Sequence, residues 1–282
     1  MGPHRVGAAV ELAFCSISAL DRPLAAAAAL AAGAGLDGLE VTARAPHLGP
    51  DATLDAARAA GDAVRSAGVR VVAYGSYLGR EGPRTPGHAA REVAVARALG
   101  APRIRVWAEP EPGPADGGFA AAVALLRAAC DEAAAHGIDV VVERHAGSFA
   151  DAPERVERLL AGVGRANFAL NYQVLDFLPE AALAAQPDDA RRLAPRARYL
   201  HLKNYRPPAQ PGGPVLPGGS LAKGVVDVRA LLAAALEAGY AGPLAIEFLS
   251  FEPRPVEDKL RGDAAFVRGV LAELGAARRV VA

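Results

Sequence analysis

Short apolar runs typical of buried strands alternate with helix-like runs along the whole sequence, and this pair of runs occurs eight times. The apolar runs are rich in Val, Ile and Leu, as expected for parallel strands that helices cover on both faces. Strands are predicted at 10–15, 38–41, 69–74, 103–107, 138–143, 167–171, 198–203 and 244–249. Helices are predicted at 23–32, 51–67, 86–99, 119–135, 153–160, 179–193, 227–237 and 256–274. Because consecutive parallel strands need helical crossovers, these eight units predict one α/β domain over residues 1–282, a single (β/α)8 TIM barrel.

Glycines mark the ends of several predicted helices, directly before the next strand, where a left-handed residue is needed. They are Gly35, Gly68, Gly100, Gly137 and Gly239. The alternative α/β architecture is an open doubly wound sheet, which would place a Gly-rich phosphate loop after the first strand. The segment 16–22 contains no glycine, and the barrel is therefore favoured.

Composition narrows the classes of function. Lys plus Arg and Asp plus Glu both number 31, and this neutral balance disfavours nucleic acid as a partner, because phosphate-binding surfaces are basic. Cys15 and Cys130 are too few for a disulfide framework or a zinc site built from cysteines. The Ala-rich run 24–36 is too short to span a bilayer. We therefore expect a cytoplasmic protein without a membrane partner, and self-association into a homo-oligomer is left open.

Polar side chains gather where the predicted strands end, and the carboxyl ends of the strands form the active site in TIM barrels. In chain order they are Glu40, His47, Ser76, Tyr77, Arg105, Trp107, Glu143, His145, Asn171, Gln173, His201, Lys203 and Glu247. Residues two apart on a strand point to the same side, which predicts that Glu143 and His145 act together.

A carboxylate that ends an apolar strand is costly to bury alone and is normally paired or bound to a metal. Glu143, His201 and Glu247 recur at equivalent ends of three strands, and this recurrence indicates a metal site. The alternative interpretation is a ring of salt bridges, with Arg105, Arg144 and Lys203 as counter-ions.

The segment 207–220 after the seventh predicted strand is dense in proline and glycine. This composition predicts a loop without regular structure, and its position favours a lid over the mouth of the barrel. A passive insertion is the alternative.

The order and spacing of these segments resemble the xylose-isomerase-like TIM-barrel superfamily, which includes keto-sugar epimerases, hydroxypyruvate isomerases and inosose dehydratases. The segments that carry the resemblance are 14–18, 34–40, 74–77, 103–107, 142–147, 171–173, 201–203 and 246–248.

The resemblance implies one divalent metal ion held by Glu143, Gln173, His201 and Glu247, with Gln173 where many relatives have Asp. Two Glu with a neutral His and Gln balance a doubly charged ion, so we expect a stronger Lewis acid that is held less tightly. Mixed carboxylate, carbonyl and imidazole ligation suits Mn²⁺, and Mg²⁺, Co²⁺ and Zn²⁺ are compatible with it.

The activity that the resemblance implies is a metal-dependent isomerase or epimerase that moves a proton through an enediolate of a small sugar or polyol substrate. Glu143 and Glu247 are its candidates for proton transfer, and position in the sequence adds His145 and Lys203. The remaining candidate substrate-binding residues are Glu40, His47, Tyr77, Arg105, Trp107 and Tyr172.

Three other functions stay open at this point. A lyase or dehydratase would use the same enediolate for β-elimination, as dehydratases in this superfamily do. An abasic-site endonuclease would need further His ligands near strands three and six, whereas His88 lies at a predicted helix start and strand six has none. A non-catalytic barrel gains weight from Gln173.

Overall fold

Eight parallel strands close into a barrel in the computed structural model, which describes residues 10–110 and 115–276. The barrel strands are β1 (Leu12–Cys15), β2 (Gly38–Thr42), β3 (Arg70–Gly75), β4 (Arg103–Val106), β5 (Asp139–Glu143), β6 (Phe168–Tyr172), β7 (Ala197–Leu202) and β10 (Leu244–Ile246). Around the barrel they follow the order β1, β10, β7, β6, β5, β4, β3, β2. Strands β8 (Asn204–Arg206) and β9 (Leu216–Gly219) form a separate antiparallel hairpin. The predicted (β/α)8 fold is confirmed.

Eight α-helices in the described residues provide the crossovers. They are α1 (Leu24–Gly33), α2 (Leu54–Ser66), α3 (Pro86–Leu99), α4 (Ala115–Ala134), α5 (Pro153–Val163), α6 (Gln186–Leu193), α7 (Val228–Glu237) and α8 (Val256–Glu273). The helix predicted over 179–193 begins instead as a 3-10 helix, Glu180–Ala185, and α6 follows it. No helix among the described residues has the length and apolar content that crossing a membrane requires.

All five glycines predicted to end helices have positive φ angles, from 65° at Gly137 to 93° at Gly239. The last barrel strand is shorter than predicted. It ends at Ile246 because Phe248 has a φ of 52°, which turns the chain away from extended geometry.

The barrel interior holds a small apolar layer that is separate from the larger core between strands and helices. Its members are Ala13, Val72, Ala73, Val141, Ala169, Tyr199 and Ala245. All seven are at most 4% exposed, so packed side chains close the barrel interior at this level. Side chains two residues further along each strand face the same interior, one level nearer the carboxyl end.

The prediction of a loop without regular structure over 207–220 is wrong for 216–219, which form strand β9, whereas 207–215 contain no helix or strand. In the hairpin β8–β9, the second strand runs so close to the backbone of β8 that a Cβ on Gly219 would lie 2.3 Å from a carbonyl oxygen there. Glycine thus permits this strand pairing instead of preventing it. Phe251 N–H donates to Gly218 O at 3.0 Å, and Val215 N–H donates to Leu178 O at 2.8 Å. The hairpin is anchored on both sides, and its role as a lid stays a prediction.

Asp263 on α8 is a buried carboxyl that accepts a hydrogen bond from Leu221 N–H at 3.0 Å. Burial raises the pKa of Asp263 to about 6, although the Leu221 bond, Arg254 and Lys259 lower it. Because the pKa of Asp263 is higher in the folded protein than in the unfolded chain, the folded protein holds the proton of this carboxyl more tightly. The stabilisation that Asp263 contributes is therefore fully present below its pKa in the unfolded chain and is lost as the pH rises through about 6.

We therefore expect Asp263→Asn, which keeps an acceptor for Leu221, to raise the melting temperature more near pH 8 than near pH 4. The expected gain in the free energy of unfolding is up to about 3 kcal/mol at the higher pH. Thermal unfolding at both pH values measures it. Asp258→Asn on the same helix is the control, since Asp258 is half exposed. An equal effect of Asp263→Asn at both pH values would contradict the expectation.

Candidate active site

One buried layer at the carboxyl end of the barrel receives a residue from seven barrel strands and the residue that directly follows β10. In chain order these are Cys15, Glu40, Gly75, Arg105, Glu143, Asn171, His201 and Glu247. A Cβ on Gly75 would lie 2.5 Å from Glu40 Oε1 and 2.9 Å from Arg105 Nη2. The glycine on β3 therefore leaves the space that this charged pair occupies.

Arg105 joins the carboxylates of β2 and β5. Its Nη1 donates to Glu143 Oε2, and its Nε lies 3.5 Å from Glu40 Oε1. Burial opposes the charge, but Glu143 and Glu40 raise the pKa of Arg105 well above its usual value. Glu143 Oε1 accepts a hydrogen bond from Gln173 Nε2 at 2.9 Å. Both oxygens of Glu143 are thus engaged.

His201 lies between two carboxylates. Its Nε2 is 2.7 Å from Glu40 Oε2, which also accepts from Tyr199 OH at 2.9 Å. Its Nδ1 is 3.3 Å from Glu247 Oε1. Burial lowers the pKa of His201, but Glu247 and Glu40 together raise it to about 10. The imidazole is therefore charged in this arrangement, with Nδ1 directed at Glu247.

Lys203 is a second buried cation. Its Nζ lies 3.1 Å from Asp176 Oδ2 and 3.6 Å from Glu247 Oε2. Burial lowers its pKa, but Glu247 and Asp176 outweigh burial and raise it above the usual value, so Lys203 is charged at neutral pH. Burial alone would raise the pKa of Glu247. The neighbouring cations His201 and Lys203 have the larger effect, and the pKa of Glu247 is lowered below its usual value. Glu247 is therefore ionised.

Above this layer lies an open cavity of about 410 Å³, a size that suits a small molecule. Its lining residues are Ile17, Leu20, Arg44, Tyr77, Arg80, Glu81, Arg105, Trp107, Glu143, His145, Asp176, Lys203, Glu247 and Phe248. Seven residues that the sequence assigns to the site are among them: Tyr77, Arg105, Trp107, Glu143, His145, Lys203 and Glu247. Their roles there stay predictions.

Three assigned substrate-binding residues do not line this cavity. Glu40 is fully buried beneath it and bonds to His201. His47 bonds to Ser16 Oγ and to a backbone carbonyl, both at 3.0 Å, and burial lowers its pKa. Tyr172 is buried and faces Arg144. Contact with a substrate would require these three side chains to move.

Two arginines at the mouth were not identified from the sequence. The Arg44 guanidinium lies 3.6 Å above the ring of Tyr77, and that of Arg80 lies 4.4 Å from the ring of Trp107. The two rings stack with their centroids 5.9 Å apart. Both arginines follow predicted strands by a few residues, which is a weak signal that could have identified them. The two rings and the two arginines form one wall of the cavity, in which Arg44 pairs with Glu81 and Arg80 pairs with Glu109.

The interpretation as a salt-bridge ring holds for two of its three counter-ions. Arg105 and Lys203 pair with site carboxylates, whereas Arg144 Nη2 donates to Asp189 at 2.6 Å, away from the cavity lining. The pairing does not neutralise the site. Four carboxylates, on Glu40, Glu143, Asp176 and Glu247, surround these two permanent cations.

The residues present fit a divalent cation. The excess of two carboxylates equals its charge, and in this structure the His201 imidazolium supplies part of that charge. Buried oxygens without a hydrogen-bond partner are costly unless something binds them. Such oxygens occur on Asn171 and Gln173, in or beside this layer. One oxygen each of Glu40 and Glu247 also accepts no hydrogen bond, with Arg105 Nε at 3.5 Å and Lys203 Nζ at 3.6 Å as the nearest cations.

Of the four predicted ligands, His201 and Glu247 lie together, at 3.3 Å from Nδ1 to Oε1. Glu143 turns toward Arg105 and Gln173 instead. Within the described residues, a different trio of ligand types, Cys15, His201 and Glu247, has its ligand atoms within 4.8 Å of one another. The ligand set of the cation therefore stays a prediction.

Comparisons with solved structures show the same fold at low identity. The probable 3-DHS dehydratase AsbF involved in petrobactin synthesis from Bacillus anthracis is 17% identical, covers 92% of this chain and 98% of its own, and has a TM-score of 0.69. D-allulose 3-epimerase from Methylomonas sp., in complex with D-allulose, is 20% identical. The match covers 93% of this chain and 97% of the epimerase chain, with a TM-score of 0.69. A xylose isomerase-like TIM barrel protein from Mycobacterium smegmatis, in complex with magnesium, is 15% identical. The match covers 94% of this chain and 97% of that protein's chain, with a TM-score of 0.68.

No curated protein sequence matches this chain significantly. The profile of one family, described as xylose isomerase-like TIM barrel, matches residues 28–270. This range includes seven of the eight barrel strands and every site residue named above except Cys15, Ser16, Ile17 and Leu20. The chain belongs to the xylose isomerase-like TIM barrel family.

Proposed function

We propose that this protein is an isomerase or epimerase that moves a proton on a small hydroxy-ketone sugar through an enediolate, with a divalent cation bound at the site. The observation that carries the proposal is a pair of buried carboxylates, Glu143 and Glu247, that line the same cavity. Each has a permanent cation beside it, Arg105 for Glu143 and Lys203 for Glu247.

Two carboxylates suit this reaction because one removes a proton from carbon and the other returns a proton to a neighbouring face or atom. Strands β5 and β10 are separated by two strands on one side of the barrel and by four on the other. Glu143 and Glu247 can therefore approach a substrate in the cavity from different sides.

Lys203 is assigned to charge stabilisation. Because its pKa is raised, it is protonated at neutral pH and can donate a hydrogen bond to a developing oxyanion but cannot act as a base. The cation, when bound, supplies Lewis-acid stabilisation of the same negative charge. Gln173 Oε1, His201 and Glu247 would hold it, with Glu143 as the fourth predicted ligand.

His145 lies at the outer edge of the cavity. Its buried Nδ1 has no hydrogen-bond partner and lies 3.7 Å from Glu109 Oε1, and its ring meets Trp107 edge-on with centroids 4.9 Å apart. This position suits binding of a substrate hydroxyl. It lies further from the buried layer than either carboxylate, so we assign the proton transfer at carbon to Glu143 and Glu247.

Incubation in deuterated water tests the proposal. The protein, supplied with Mn²⁺, Mg²⁺, Co²⁺ or Zn²⁺, is given D-allulose, D-fructose, L-ribulose and L-xylulose. We expect products of unchanged composition that carry solvent deuterium at carbon, because an enediolate exchanges its proton. Absence of both product and exchange with every sugar and ion would overturn the assignment.

A lyase is the second candidate, and the contact between Lys203 and Glu247 favours it. A base and a protonated acid 3.6 Å apart can remove a proton from carbon and protonate a departing hydroxyl. With 3-dehydroshikimate or a cyclic polyol ketone, elimination would produce a loss of water by mass and new ultraviolet absorbance. Epimerisation would leave the mass unchanged, so one assay separates the two reactions.

A further inference from the structure

The proposed function leaves one buried nucleophilic group of the site without a role, the thiol of Cys15. Cys15 ends β1 and pairs in register with Glu40 on β2, so the two side chains face the same interior. The residue is 1% exposed and is not part of the apolar layer below it. Its sulfur lies instead among the polar side chains of the site.

The barrel closes between β1 and β10, and this closure brings Cys15 beside Glu247. The Sγ of Cys15, a ring nitrogen of His201 and a carboxylate oxygen of Glu247 all lie within 4.8 Å of one another. Ligand atoms on one tetrahedral zinc ion, with bonds of about 2.0 to 2.3 Å, lie about 3 to 4 Å apart. A small adjustment of side chains would therefore place all three on one ion.

Two buried carboxylate oxygens of this layer accept no hydrogen bond and have only longer contacts with cations. Glu40 Oε1 lies 3.5 Å from Arg105 Nε, and Glu247 Oε2 lies 3.6 Å from Lys203 Nζ. A neutral thiol offers these oxygens little. A cation would satisfy them and would hold the sulfur as a thiolate.

We propose that Cys15 is a ligand of the cation, together with His201 and Glu247, and that the site consequently prefers Zn²⁺ or Co²⁺ to Mn²⁺. Soft thiolate ligands select such ions, whereas carboxylate and carbonyl ligands alone suit Mn²⁺ and Mg²⁺. The inference rests on the cation of the proposed function and not on the reaction. It also adds to the site a residue outside the range that the family profile matches.

Cobalt binding measured by absorption tests the inference. Apoprotein is titrated with Co²⁺, and a thiolate bound to Co²⁺ produces an intense charge-transfer band in the near ultraviolet. The chain has only two cysteines. Cys130 is buried in the apolar core on α4 and is the matched control. We expect the band in the wild type and in Cys130→Ser, and its loss in Cys15→Ser and Cys15→Ala.

The wild type and Cys130→Ser decide the question even where a Cys15 variant fails to fold. Equilibrium dialysis in parallel counts bound Co²⁺. Bound Co²⁺ without the band, or no bound Co²⁺ at all, would overturn the role of Cys15. Both results leave the proposed function to its own test, in which Mn²⁺ and Mg²⁺ are also supplied. In folded Cys15→Ser we expect Zn²⁺ affinity to fall at least about 10-fold and Mn²⁺ affinity to change much less. Equal losses for both ions would also contradict the inference.

Discussion

Replacing Glu143 or Glu247 with Gln is expected to lower kcat for the sugar that the protein turns over by about 1000-fold, since general acid–base catalysis contributes about 100- to 10,000-fold. Gln keeps the size of the side chain but can neither remove a proton from carbon nor return one. Both residues line the cavity with buried carboxylates. Steady-state kinetics with each variant measure the effect, with circular dichroism to confirm the fold.

Two controls separate catalysis from indirect effects. Glu132→Gln changes a half-exposed carboxylate on α4 and should leave kcat unchanged. Deuterium exchange into the substrate shows whether either variant still removes the proton from carbon. At saturating sugar, a variant that only binds substrate more weakly would still show this exchange. Normal turnover in both Glu143→Gln and Glu247→Gln would show that other groups move the proton.

The barrel could be predicted from the sequence because each of its strands is specified locally. Apolar β-branched runs, helix starts at Pro86 and Pro153, and glycines such as Gly137 mark the units without any long-range information. Strand boundaries agree to within a few residues for the same reason. The strand at 244–249 is the exception, since the backbone turn at Phe248 is not signalled by its residue type.

The candidate site was predictable only where strand position determines it. Glu143, His201 and Glu247 lie in one layer because parallel strands end together. Which carboxylate pairs with which cation depends on side-chain packing across the barrel. A pattern within one strand cannot show that Arg105 binds Glu143 or that Lys203 lies beside Glu247.

The position of Cys15 in the site and the strand pairing of the hairpin were not predicted, and the physical reason is the same. The spacing of cysteines in a sequence shows only how they relate to other cysteines. The neighbours of Cys15 are instead His201 on β7 and Glu247 directly after β10, far along the chain. Likewise, proline and glycine density predicts irregular structure locally. The hairpin β8–β9 is instead anchored by contacts with Leu178 and Phe251, which the sequence does not place beside it.

The largest loss of stability is expected from Arg105→Met. Arg105 is 4% exposed and lies between Glu143 and Glu40, so Met would leave the buried carboxylate of Glu143 without its cation and that of Glu40 with His201 alone. Removing one partner of a buried ion pair lowers the free energy of unfolding by about 3–5 kcal/mol, because the other charge stays buried without a partner. The melting temperature should fall by about 10 °C. Arg58→Met is the control, since Arg58 is 58% exposed and its pair with Asp55 contributes little.

The origin of this loss can be tested with the double variant Arg105→Met/Glu143→Gln. If the cost arises from the unpaired carboxylate, neutralising Glu143 removes part of it, and the double variant should be more stable than the sum of the two single losses implies. Residues in direct contact couple by about 0.5–3 kcal/mol, and this pair should lie near the upper end. Denaturant unfolding of the four proteins measures the coupling. Strict additivity would mean that Arg105 stabilises the barrel mainly by packing against Trp107, whose ring centroid lies 4.8 Å from the guanidinium carbon.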